Sequence, residues 1–229
     1  MNLLITKKVD GIILAGSNFV HEKACENQYI ADAAAQVPVM LLNADLDLPN
    51  VYSVVSDDYT SMYTATLEMF QSGTEDILYF YNSNSFSGKR KLAGFLAAME
   101  KMHFSAAEVM TRFYRGSHED IHAMVACLKQ FHETGHIFHG IIAADDILAV
   151  AGVKYAREMH YRIPEDISVL GYNNSMPALC CEPELTSIDN KQETLCQHLI
   201  VTLLGVLEGK EMPKKTVFSG EIIKRGTTR

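Results

Sequence analysis

The sequence predicts an α/β protein made of two lobes around mostly parallel sheets, and three observations predict it. Short β-rich apolar runs alternate along the chain with longer stretches of helical spacing, the signature of stacked βα units. With 229 residues, 48% of them apolar and 21% charged, the chain is long enough to bury roughly 70% of its unfolded surface in one large domain or two small ones. A small-polar segment, Asn82-Ser83-Asn84-Ser85-Phe86-Ser87-Gly88, falls between two sets of these units and reads as a crossover between lobes.

The elements follow in order. Val9 to Ala15 is a buried strand that ends in Gly16-Ser17-Asn18. His21 to Gln36 has helical spacing and stops at Val37-Pro38, because the residue before proline is pushed out of the α region. Val39 to Asn43 and Tyr52 to Ser56 are strands. Asp57-Asp58 stand where a cap is wanted for the helix through Phe70, which Gly73 closes. Ile77 to Tyr81 is a strand, and Lys89 to His103 a helix. Strands at 109–114, 141–144 and 167–171 then alternate with helices at 118–134 and 146–160. Leu185 to Ile188 is extended, Lys191 to Glu208 is a helix stopped by Gly209, and Thr216 to Lys224 is a terminal strand.

Composition excludes several functions. Twenty basic against twenty-eight acidic residues leave a net charge of −8, so this chain alone does not capture a phosphate backbone by charge. No apolar run approaches the roughly 18–20 residues of a membrane span, and no signal-peptide order is visible at the start, which places the chain in the cytoplasm. Cys25, Cys127, Cys180, Cys181 and Cys196 are odd in number and scattered, as expected of reduced thiols. His118 with His122 and His132 with His136 are four apart, but neither pair has a third ligand nearby, and no metal or cofactor is expected.

In such sheets ligands sit beyond the carboxyl ends of the strands. The polar residues there are Ser17, Asn18, 56–59, 83–87, 115–118, Asp145, Asn173 and Asn174. They are hydroxyls, amides and carboxylates, with no nucleophile and base, no glycine-rich phosphate loop and no paired metal ligands. That set suits hydrogen bonding to a small polar solute and gives no basis for an enzyme.

An ordered series of motifs then resembles a known family. Val9-Asp10-Gly11-Ile12-Ile13, Val37-Pro38-Val39, Asp57-Asp58, Lys91-Leu92-Ala93-Gly94-Phe95, the run 141–149 (IIAADDILA), the run 163–174 (IPEDISVLGYNN), Pro183 to Ile188 and Lys224 to Thr228 are similar in order and spacing to lactose-repressor/galactose-repressor (LacI/GalR) transcription regulators. The resemblance spans residues 5–228. It implies a type I periplasmic-binding-protein-like fold: two Rossmann-like lobes with parallel sheets, three hinge crossovers, and a cleft for a small, sugar-like effector. It implies a homodimer that reaches operator DNA through a helix-turn-helix headpiece. That headpiece and the first strands of the N-terminal lobe do not precede Val9 here. The expected lobes are 1–82 plus 190–215 and 83–189 plus 216–229. The alternative on the same fold is a sugar-binding protein of a transporter.

The resemblance also implies a ligand set: Tyr59, Ser85, Ser87, Lys91, His118, Asp145, Asn173 and Asn190. Lys91 stands where the family has arginine, which exchanges a planar fork for a point charge. His118 takes an aromatic stacking position, Asp145 and Asn173 replace a usual Asn and Asp, and Asn190 replaces a frequent Gln. Each also has a structural reading. Ser85 and Ser87 are good turn residues, Lys91 starts a helix, and one of Asp145 and Asp146 caps the helix that follows.

Overall fold

The computed structural model describes residues 1–229, the side chain of Asn2 excepted. In chain order the elements are α1 (Asn2–Thr6), β1 (Ile12–Ala15), a 3-10 turn (Ala24–Asn27), α2 (Gln28–Ala34), β2 (Val39–Leu42), β3 (Val51–Ser56) and α3 (Asp58–Gln71). Then come β4 (Ile77–Tyr81), α4 (Phe86–Lys101), β5 (Met110–Phe113), α5 (Ile121–Glu133), β6 (Gly140–Ala143) and α6 (Asp146–Glu158). The chain closes with β7 (Ser168–Tyr172), α7 (Met176–Cys180), β8 (Thr186–Asp189), α8 (Gln192–Leu207), β9 (Lys215–Phe218) and β10 (Glu221–Ile223).

These elements form two units. The first is Met1–Asp57 with Asn84–Ser87 and Lys191–Ser219; the second is Asp58–Ser83 with Gly88–Asn190 and Gly220–Arg229. The first holds a parallel sheet in the order β1-β2-β3-β9. On β2 the side chains divide by parity: Val39 and Leu41 join Ile30 and Ala33 of α2, while Met40 and Leu42 join Leu195 and Leu199 of α8. A strand with a helix on each face reads as an unbroken apolar run, which is why 39–43 was legible. β1 is an edge with Ile12 and Leu14 buried and Ile13 exposed.

The second unit has a six-stranded sheet, β10-β8-β7-β6-β4-β5, parallel throughout except for β10. Its core joins Ile77 to Phe80, Ile141 to Ala143 and Val169 to Leu170 to helix residues such as Met62, Phe95, Leu128 and Leu148.

The lobe boundaries differ from those the sequence suggested. Residues 58–83 belong to the second unit, because β4 pairs with β5 and β6 there and the Met62 face of α3 packs in the same core. The expected terminal strand over 216–224 is two strands: β9 pairs with β3 in the first unit and β10 with β8 in the second. The break falls at Gly220, whose N–H donates to Ser61 Oγ at 3.2 Å instead of continuing a ladder. The expected helix over 21–36 begins only at Gln28, since the buried Asn27 side chain closes the preceding loop onto His21 through both its amide ends, each at 2.8 Å.

Candidate functional site

The carboxyl edge of the second sheet gathers four of the eight expected residues. Asn173 follows β7 directly and takes φ +100, with Asn174 next at +49; asparagine tolerates this left-handed region better than most side chains. The Asn173 backbone donates to Ile188 O at 2.8 Å, fixing it beside β8. Asn190, at the end of β8 and 6% exposed, donates from Nδ2 to Asn173 Oδ1 at 3.2 Å. That pairing turns the Asn190 Oδ1 outward from Asn173, and this buried acceptor has no hydrogen-bond partner among the described residues. Buried polar atoms are nearly always paired, so this atom marks a place where a donor is wanted.

A second pair sits at the start of α6. Asp145 caps the helix, its Oδ1 accepting from Leu148 N at 2.9 Å. Its Oδ2 lies 3.0 Å from Nε2 of His118, whose side chain is half-exposed. The ambiguity over which aspartate caps is thereby resolved: Asp145 does, and Asp146 turns inward.

Beneath these pairs lies a buried charge network that the sequence did not disclose. Asp146, 1% exposed, accepts at Oδ2 from Ser175 N and Oγ, both at 2.7 Å, and at Oδ1 from Ser187 Oγ at 2.6 Å. Burial raises its carboxyl above the ordinary range, opposed by those hydrogen bonds. Asp58 is equally buried and accepts from Tyr172 Oη at 2.6 Å. Lys91 is buried too: its Nζ donates to Ala144 O at 2.9 Å and stands 3.7 Å from the centre of the Tyr172 ring. Burial lowers its ammonium below the ordinary lysine value, while Asp58, Asp145 and Asp146 act the other way. Tyr79 Oη is buried without a partner among the described residues, and burial, then Asp58, Tyr81 and Asp145, push its phenol up.

The other expected residues lie elsewhere. Ser85 and Ser87 belong to the first unit, where Ser17 Oγ, just past β1, donates to Ser85 Oγ at 2.8 Å. Ser87 stands in the first turn of α4, which begins three residues earlier than the sequence suggested. Tyr59 does not join the cluster: it stacks on Tyr63 at 6.3 Å and lines a groove with Ala97, Glu100, Lys101 and His103 on the flank of α3 and α4. A tyrosine in the first turn of a helix points by its position on the helix face, which its place after Asp57-Asp58 did not reveal. Lys91 is buried, with its Nζ bonded to a backbone carbonyl and set over an aromatic face.

The missed residues Asp58, Asp146 and Tyr172 had a weak signal. Each of two helices begins at a pair of adjacent aspartates, and the second of each pair is the buried one.

With this geometry described, comparison with known proteins defines the class. A periplasmic binding protein-like domain matches residues 66–228. An HTH-type transcriptional regulator of Lachnoclostridium phytofermentans is 38% identical over 228 residues, covering 100% of this chain and 68% of that protein. Among solved structures, the lactose repressor bound to the anti-inducer ONPF superposes with a TM-score of 0.86 at 19% identity, covering 100% of this chain and 81% of that one. The transcriptional regulator CelR in complex with cellobiose gives 0.83 at 22% identity, covering 99% and 68%; at such identities both speak for the fold alone. The chain belongs to the periplasmic-binding-protein-like family, and over its whole length it is related to an HTH-type transcriptional regulator. These relatives are regulators and not enzymes.

Proposed function

We propose that this core senses a small sugar-like effector and passes its occupancy to operator binding by a headpiece outside this chain. The observation that carries the reading is the Asn173–Asn190 amide pair at the sheet's carboxyl edge, with a buried acceptor that has no partner among the described residues. A polyol hydroxyl supplies the missing donor and accepts in return. His118 and Asp145 offer an imidazole nitrogen and a carboxylate on the neighbouring strand end. Lys91 acts one layer below, holding the Ala144 carbonyl and the Tyr172 ring in place. The cellobiose named with CelR supports a carbohydrate, and regulator relatives favour this reading over a transporter's solute-binding protein.

The mechanism is differential affinity. An effector that binds one arrangement of the core more tightly than another shifts their populations by that difference and no more. Assembly as a homodimer in the cytoplasm belongs to the same reading, and sedimentation equilibrium tests it by giving about twice the 25.5 kDa chain mass.

The binding test is thermal unfolding against neutral mono- and disaccharides, pentoses and polyols. At a hundred times its Kd, a ligand of the folded state adds about 2.7 kcal/mol, which for a chain of this length is a Tm rise of roughly 5–10 °C. Asn173→Gly keeps the backbone conformation, removes the amide, and abolishes the rise. No rise with any sugar overturns the reading.

A further inference from the structure

We propose that the effector site on the second sheet discriminates against anions: it takes a neutral polyhydroxylated ligand and rejects the same sugar carrying a phosphate ester. This rests on the reading that the effector binds at the carboxyl edge of that sheet. Three features carry it.

The first is the state of the helix N-termini. Helices α5 and α6 follow parallel strands, so both begin at this edge, where free N–H groups and the positive end of the helix dipole would ordinarily welcome a phosphate. Each already holds an anion of its own. Asp120 Oδ1 accepts from Ala123 N at 2.9 Å and Asp145 Oδ1 from Leu148 N at 2.9 Å. A phosphate arriving there meets a carboxylate on the groups it would need.

The second is the charge of the buried layer. Buried Asp58 and Asp146, with part-buried Asp145 above them, outnumber Lys91, and the lysine's ammonium is spent on Ala144 O and the Tyr172 ring. A ligand phosphate would therefore sit over excess negative charge, with the cation directed inward. Arg225 is committed to Leu185 O at 2.7 Å, Asn174 Oδ1 at 2.6 Å and Glu184 at 3.6 Å. Lys89, Arg90 and Arg115 are exposed, where water and salt screen them; His118 already faces Asp145.

The third is the character of the open atom. Asn190 Oδ1 is an acceptor, and its amide nitrogen is given to Asn173. A hydroxyl or an ammonium can donate to it; an ionised phosphate oxygen has no proton to offer.

The experiment is calorimetric titration of the full chain with matched pairs: glucose and glucose 6-phosphate, galactose and galactose 6-phosphate, ribose and ribose 5-phosphate, cellobiose and its 6-phosphate. The expected result is binding of at least one neutral sugar, with its ester at least about tenfold weaker, equivalent to about 1.4 kcal/mol. Asp145→Asn keeps a capping oxygen for Leu148 N while removing a part-buried charge, so the ratio of affinities narrows in that variant. It narrows likewise as ionic strength rises. An ester that binds as tightly as its parent sugar, or more tightly, overturns the selectivity and leaves the sugar-sensing reading intact. Failure of every neutral sugar and every ester overturns that reading and this one with it.

Discussion

Lys91 and its carboxylate neighbours show how a charge survives burial: Ala144 O, the Tyr172 ring and three aspartates stand around one ammonium. Removing the cation takes the Nζ donor from the buried Ala144 carbonyl. Lys91→Met should therefore lower stability by about 1–3 kcal/mol, read from urea unfolding. A surface pair behaves differently. The Arg162 guanidinium grips Asp166 with two bonds of 2.8 and 2.7 Å, and the Arg162 N–H adds a third. Together they pull the Asp166 carboxyl down to about 2. A depressed acid contributes stability above its unfolded value near 3.9 and loses it as pH falls through that value toward 2. Carboxyl NMR titration should find the Asp166 midpoint near 2, and Arg162→Ala should return it to the ordinary range. At this scale the sequence disclosed Asn173 and Asp145, which directly follow legible strands. It did not disclose Asp58, because an acid before a helix looks like a cap, and its partner Tyr172 is 114 residues away.

Elements meet closely at two glycines. A Cβ on Gly94 of α4 would stand 2.3 Å from Tyr59 O of α3, and one on Gly171 of β7 would stand 2.3 Å from Asp146 Oδ1. Backbone cannot retreat as a flexible side chain does, so Gly94→Ala should separate the two helices and cost about 1–3 kcal/mol by urea unfolding. The cap of α6 is a smaller item: Asp145→Ala should cost about 1 kcal/mol and free His118. The central strands β2, β3, β4, β6 and β7 were legible because burial on both faces makes them continuous apolar runs. Helix starts were less so. Residues 21–27 keep apolar spacing, yet a buried asparagine ties them into a loop. The short helices α1 and α7, five residues each, carry too little periodicity to announce themselves.

For the whole molecule, the motif series foretold the two-sheet α/β architecture, but the lobe boundaries followed strand pairing that no local pattern encodes. β4 reads the same in either sheet; its partners β5 and β6 decide. The first unit takes α8 and β9 from residues 192–218, more than a hundred positions after β3. That order has a consequence during synthesis. As the chain leaves the ribosome, Met40, Leu42 and Val54 emerge early and stay without the α8 residues Leu195 and Leu199 until about residue 207 has been added. The second unit has five of its six strands in hand before β9 appears. The first unit thus gains its α8 face and its last strand only after five strands of the second sheet have been made.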